Sequence, residues 1–253
     1  MHCRKIHFWA FMFLLIIWVA APSFAEGAAV AGMNGKVQGL YGNVDGDDLK
    51  ASGISLTIPL CPHSGLQIDG AYGELGEDQL KGVGLHLFSR NPENYLLGIL
   101  AAHAELENVD LNRVGFEGEL YNGPVSIATF LGYQLGDIDD TLFGTLDLRW
   151  YPVDDLMLVT GGSQAGSRDG HLHIGAEYQI VAGLSTYVDL ATGENHYEHA
   201  LVGLKYYFGG QKSLIKRHRE DDPPNPIVNN LLQGLNSIRK RQLAIAMKPW
   251  WAH

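Results

Sequence analysis

The chain lacks the material of several protein classes. Of its 253 residues only two are cysteines, Cys3 and Cys61, so no disulfide framework holds it together. Charged residues are scarce at 18 %, which with the ample apolar content argues against disorder and against a coiled coil. Beyond residue 25 no apolar run approaches the roughly 20 residues that a membrane-spanning helix needs, and that excludes a helical transporter. Basic residues are outnumbered, 18 Lys and Arg against 28 Asp and Glu. The net charge of −10 makes nucleic acid an improbable partner. What remains is a glycine-rich chain, with 31 glycines and 10 % aromatics, of all-β character.

The first 25 residues read as a secretory signal. His2, Arg4, Lys5 and His7 give a basic start, Phe8 to Ala21 is unbroken apolar sequence, and Pro22-Ser23-Phe24-Ala25 supplies small residues before a cleavage point. The apolar core is about 14 residues long, short for a span. Cleavage removes Cys3 and leaves Cys61 as the single thiol, read as a turn residue.

Charge is segregated along the rest. Residues 26–208 hold eight Lys and Arg against 25 Asp and Glu, whereas residues 209–253 hold eight against three. The asymmetry predicts a boundary near Phe208. An N-terminal segment, 26–35, precedes a central region, 36–208, and a basic tail, 209–253, follows it. Pro223-Pro224-Asn225-Pro226 breaks the tail, and Val228, Leu231, Leu232, Leu235, Ile238 and Leu243 fall near helical spacing, so 227–246 reads as an amphipathic helix. With Arg239-Lys240-Arg241 and Trp250-Trp251 it suits the periplasmic membrane face, the cell wall or a protein partner.

From Lys36 to Phe208 apolar residues alternate with polar or small ones, with breaks at Gly, Asp, Asn or Pro. In Val125–Tyr133 one face is Val125, Ile127, Thr129, Leu131 and Tyr133; in the strand after it Leu146, Leu148 and Trp150 oppose Asp147, Arg149 and Tyr151. A period of two over eight to ten residues is a strand signal. Twelve such segments are predicted, near 36–44, 51–59, 66–74, 80–89, 95–105, 112–121, 125–134, 142–151, 156–164, 171–180, 184–191 and 198–208; the fifth and ninth alternate poorly. A soluble sandwich and a transmembrane barrel both fit. Strand length, aromatics near strand ends (Tyr72, Tyr95, Tyr121, Tyr133, Trp150, Tyr151, Tyr178, Tyr206 and Phe208) and glycines on the polar face (Gly82, Gly84, Gly115, Gly175 and Gly203) favour the barrel.

The last segment carries a resemblance. Gly203, Tyr206 and Phe208 are spaced as in the C-terminal assembly signal of bacterial outer-membrane β-barrel proteins, with two departures: Leu201 stands where a large polar residue is usual, and 45 residues follow Phe208. The resemblance covers roughly 36–208. It implies an all-β, antiparallel, up-and-down transmembrane barrel of about twelve strands, a porin-like fold of the outer membrane, with a C-terminal extension. It also implies outer-membrane lipid, lipopolysaccharide and the barrel-assembly machinery as partners. Both termini would then lie in the periplasm, with short acidic loops outside.

The functional expectation is a narrow porin-like channel, or a structural barrel, for small solutes. Its lumen lining would be Asp69, Arg90, Arg113, Glu117, Glu119, Asp147, Arg149, Glu177, Asp189 and Lys205, with Glu105 adding to an acidic excess that would favour cations. A plugged lumen, filled by ion pairs and by Phe130, Tyr151 and Tyr207, is the structural counterpart. No cofactor and no metal are expected. His171, His173, His196 and His199 match no metal spacing, and Asp45–Asp48 and Asp137–Asp140 lack the full calcium-loop pattern. The alternatives are a lipid-modifying hydrolase, pairing His103 with Ser126 or His173 with Ser163 or Ser185, and a soluble all-β periplasmic binding protein. There is no G-x-S-x-G elbow, so no catalytic residue is assigned.

Overall fold

The computed structural model describes residues 27–221, with 139, 167 and 168 excepted. The expected signal peptide and the helix expected at 227–246 lie outside the described residues. Twelve strands run β1 (Asn34–Val44), β2 (Asp47–Cys61), β3 (Ser64–Leu75), β4 (Asp78–Asn91), β5 (Tyr95–Leu106), β6 (Val109–Asn122), β7 (Val125–Gly136), β8 (Thr141–Val153), β9 (Leu156–Ala165), β10 (Asp169–Val181), β11 (Leu184–Gly193) and β12 (Glu198–Phe208). Every predicted segment is one of them, including the two that alternate poorly. Each strand pairs antiparallel with its sequence neighbours, and β1 pairs with β12 from Gly35↔Phe208 to Val44↔His199, which closes the sheet into a barrel.

Hairpin turns set the register. Asp45 and Gly46 both have positive φ (53° and 92°), as a two-residue hairpin turn requires, and Asn43 Oδ1 accepts from the Gly46 N–H at 2.8 Å. The three register shifts, at Pro59/Cys61, Trp150/Val153 and Gln179/Val181, all fall at the end where β1 begins and β12 finishes, called here the near end. Bulges of this kind bend strands at a barrel rim.

The alternation sorts side chains between lipid and lumen. Facing outward are Ile54, Ile68, Val83, Leu97, Phe116, Ile127, Leu146, Ile174 and Val202, all exposed. Outward aromatics form a ring near each end: Trp150, Tyr178, Tyr206 and Phe208 toward the near end, Tyr41, Tyr72 and Tyr133 toward the far end. An apolar exterior between aromatic girdles is the surface of a transmembrane barrel. It is incompatible with a sandwich whose apolar face forms the core, so the soluble binding-protein alternative falls. Tyr121 and Tyr151 are corrections to the expected girdle: both are buried and point into the lumen.

The lumen is filled in tiers. At the far end Leu40, Val44, Leu49, Leu75, Leu80, Leu106, Val109, Leu111, Ile138 and Tyr197 form an apolar cluster. Polar and charged side chains occupy the middle. At the near end the chain itself enters: after Phe208, Gly209 and Gly210 turn with φ of 99° and 102°, and Leu214–Lys216 and Arg217–Asp221 form one short helical turn followed by a wider one. Leu214 is fully buried against Tyr151, Met157 and Tyr207. The expected domain boundary at Phe208 is therefore corrected for residues 211–221. This stretch packs inside the barrel rather than leaving it.

Candidate functional site: the lumen and its near-end mouth

The side chains expected to line the lumen lie on its side of the strands, and five of them meet one another directly. Arg149 Nη1 donates to Glu119 Oε1 at 2.7 Å, and Arg149 Nη2 stands 3.6 Å from Asp147. Glu119 also accepts from the Tyr121 hydroxyl at 2.9 Å. Lys205 Nζ donates to Glu177 Oε2 at 2.6 Å, and Glu177 Oε1 accepts from the Tyr207 hydroxyl at 2.6 Å. Asp69 accepts from Gln67 Nε2 at 3.0 Å, and His86 lies between Asp69 and Glu117, 2.9 Å from each. Arg113 donates to Gln134 Oε1 at 3.1 Å and covers the Phe143 ring, 4.2 Å from its centroid. Charges taken out of water need such partners.

Asp189 organises a second group. Its carboxylate meets His173 Nδ1 at 2.9 Å and His199 Nε2 at 2.6 Å, while His173 Nε2 faces Asp147 at 3.1 Å. Tyr197 closes the row, 2.9 Å from His199 Nδ1. An unbroken line of polar contacts thus runs along the wall from Tyr197 near the far end to Glu119 and Tyr121 near the other. Small residues, Thr145, Gly161, Ser163 and Gly175, face the same part of the lumen from β8 to β10, and these lumen-facing residues keep partial exposure. On the β1–β4 side Thr57, Gln67, His86 and Arg90 are fully buried. Partial exposure is shared by Ala51, Ala71, Ala102, Glu117 and Lys205 on the other lumen-facing strands.

The stretch 211–221, the mouth segment, packs across the near end. Arg217 is fully buried, donating to Gln179 Oε1 at 2.9 Å and to the Gly210 carbonyl at 2.7 Å, with its guanidinium over the Tyr207 ring. Arg219 donates to Ser126 Oγ and to the Val125 carbonyl, both at 2.9 Å. Lys212 pairs with Asp221 at 2.5 Å. Arg90 ties the stretch before β1 to the stretch after β12, donating to the carbonyls of Ala29 at 2.6 Å and Asp221 at 2.8 Å. The Ala31 N–H also donates to the Glu220 carbonyl at 3.0 Å. His218 sits at the centre, 2.8 Å from the Tyr151 hydroxyl and 3.1 Å from that of Tyr207. Tyr207 spends its proton on Glu177, so His218 Nε2–H donates to Tyr207, and with the ring neutral Nδ1 accepts from Tyr151. That arrangement needs a neutral ring, and burial pushes its pKa down to about 3 against the opposing pull of Glu177.

Several sequence expectations do not survive. Glu105 is not in the lumen: it lies on the outer face, 3.6 Å from Lys81. Lys36, by contrast, is buried in the lumen. With Lys36, Arg217 and Arg219 counted, seven bases stand there against the six acids Asp69, Glu117, Glu119, Asp147, Glu177 and Asp189, and the acidic excess behind the expected cation preference disappears. His103 and Ser126 face opposite sides of the wall and cannot pair. Ser163 bonds His171 at 3.0 Å rather than His173. Among the described residues no carboxylate or amide hydrogen-bonds to His171, so nothing orients it as a catalytic base. The mouth residues could not be found from local pattern. Lys212–Asp221 reads as an ordinary charged, solvated run.

No family model matches the chain, and no curated protein matches it in sequence. Solved structures do match in fold. The chain is similar to the KdgM porin at 11 % identity over 68 % of this chain and 98 % of that one, with a TM-score of 0.57. It is similar to an outer-membrane channel from Pseudomonas putida F1 at 14 % identity over 74 % and 98 %, TM-score 0.53. An active-site variant of outer membrane phospholipase A from Escherichia coli follows at 13 % over 74 % and 93 %, TM-score 0.50. These likenesses show the architecture, that of an outer-membrane β-barrel.

Proposed function

We propose that the protein is a narrow porin-like channel for small solutes in the outer membrane of a Gram-negative cell, held shut at its near end by its own C-terminal segment. The observation that carries this reading is the docked stretch 211–221, whose Arg217, His218 and Arg219 bond to β7, β8, β10 and β12 across the mouth. A wall lined with charge from Tyr197 to Tyr121, with partly exposed side chains among it, supports it. The near end is the periplasmic one. Gly203 faces the lumen while Tyr206 and Phe208 face lipid, the placement in which we propose the assembly machinery reads them. Secretion by the 1–25 signal, contact with lipopolysaccharide, and contact of the basic residues beyond Asp221 with the membrane face, cell wall or a protein belong to the same proposal.

Planar-bilayer recording of the full chain and of a chain ending at Gly210 tests it. The full chain is expected to conduct rarely and the shortened chain steadily, with little charge preference, since wall acids and bases nearly balance. Silence from both favours a second reading, a filled structural barrel, for which the far-end apolar cluster speaks. An enzymatic role is not proposed. Release of fatty acid from phospholipid by the purified protein, abolished in Ser163→Ala, would reverse that.

A further inference from the structure

The hairpin of β5 and β6 carries a group of side chains that the channel does not use. His103, Glu105 and Asp110 each offer one ligand atom, and the three atoms lie within 4.8 Å of one another. All face outward. Glu105 and Asp110 are directly opposed in the register, and the next pair inward on the same face is His103↔Asn112. Two carboxylates opposed on one face repel each other. Lys81, 3.6 Å from Glu105 and well exposed, offsets little of this.

Register fixes the height of the group. Moving inward from the rim, Glu105↔Asp110 is followed by His103↔Asn112↔Leu135, then by Ala101↔Val114↔Tyr133, where Tyr133 belongs to the far-end aromatic ring. The three ligands therefore sit just outside the girdle, at the level of lipid headgroups rather than hydrocarbon. A cation there keeps its remaining positions open to water. His103 is also held: its Nδ1 lies 3.0 Å from Asn112 Oδ1. Asn112 can only accept through that oxygen, so the neutral ring carries its proton on Nδ1 and offers Nε2, the tautomer in which metal-bound histidines are usually fixed by an outer partner.

We propose that His103, Glu105 and Asp110 bind a zinc-type divalent cation on the lipid-facing rim of the far end. One imidazole with two carboxylates is a borderline ligand set, suited to zinc more than to magnesium or calcium, which take all-oxygen shells. Three protein ligands leave at least one position for water, the pattern of an open rather than a closed site. The metal would bridge β5 to β6 beyond the girdle and cancel the repulsion between the opposed carboxylates. This inference is independent of whether the lumen conducts.

The test is zinc binding by isothermal titration to the full-length protein folded in detergent, beside His103→Ala and Glu105→Gln. The substituted side chains are on the outer surface, and unchanged gel mobility before heating verifies that each variant has folded. The expected result is one equivalent bound by the native chain that falls at least tenfold in affinity in both variants, with magnesium and calcium binding at least tenfold more weakly. Zinc uptake unchanged by both substitutions would place it at the lumenal histidines or Cys61 and overturn the proposal. Equal binding of calcium and zinc, indifferent to His103→Ala, would also overturn it, leaving an acidic rim that attracts any dication.

Discussion

Arg149 illustrates how a single residue is held in the lumen. Its guanidinium is buried and answered by Glu119 at 2.7 Å and Asp147 at 3.6 Å. Removing one partner of such a pair costs about 3–5 kcal/mol because the other is left uncompensated, whereas replacing both by apolar groups of like volume is often neutral. Glu119→Gln should therefore lower the unfolding midpoint in urea clearly, and Glu119→Leu combined with Arg149→Met should recover most of the loss. If the double variant is no more stable than the single, the two residues are not coupled as described. The sequence identified both as lumen-facing, because alternation assigns a face. It could not identify them as partners: Glu119 is on β6 and Arg149 on β8, so the pair reaches past β7, and no local spacing records that reach. The same limit explains Glu105. Its position on β5 follows the lipid-facing parity, yet its charge suggested the lumen, and beyond the girdle an outward strand position is wet.

At the scale of elements, alternation revealed all twelve strands, because each crosses between two unlike media. Its weakness in β9 follows from Gly161 and Gly162, which place glycine on both faces in succession. The mouth segment was the element least legible. Its charges signal solvent, and only the ring of hydrogen-bond partners offered by Gln179, Ser126, Tyr151 and Tyr207 makes a lumenal position affordable. Its docking should depend on pH through His218. The folded pKa, about 3, lies below the ordinary value of about 6.5. Docking is thus at full strength above roughly pH 6.5 and weakens by up to about 1.4 kcal/mol per unit as pH falls toward 3, since the undocked ring takes up the proton first. Trypsin cleavage after Arg217 or Arg219, taken relative to an unstructured peptide at the same pH because the protease itself slows in acid, should accelerate between pH 7 and 5, and His218→Phe should flatten that dependence. Cleavage that does not change with pH would contradict the buried neutral ring.

The whole molecule presents lipid with one surface and itself with another, and the two surfaces respond oppositely to the same substitution. Leu146 is 60 % exposed near the middle of the belt, between Trp150 and Leu142 on the outer face of β8. On a water-soluble protein Leu146→Arg would be nearly neutral. Here it should cost about 2–4 kcal/mol, the penalty for arginine at a bilayer midplane, read as a lower unfolding midpoint in lipid vesicles. No loss in vesicles would mean that this face does not meet hydrocarbon. The closure of β1 on β12 has a consequence in time as well. Every other pairing joins strands linked by a short turn and can zip up locally, whereas this one must wait for the two most distant strands to meet, at a cost in chain entropy that local hairpins avoid. Until it forms, the curved sheet has two bare edges, each a template for mispairing with another chain. The mouth segment gathers hydrogen-bond partners from β7, β8, β10 and β12 and meets the stretch before β1 at Arg90. It can settle only after the ends have met, so its protection from protease during refolding is a clock for the final step of assembly, and that protection should lag behind the appearance of strand structure.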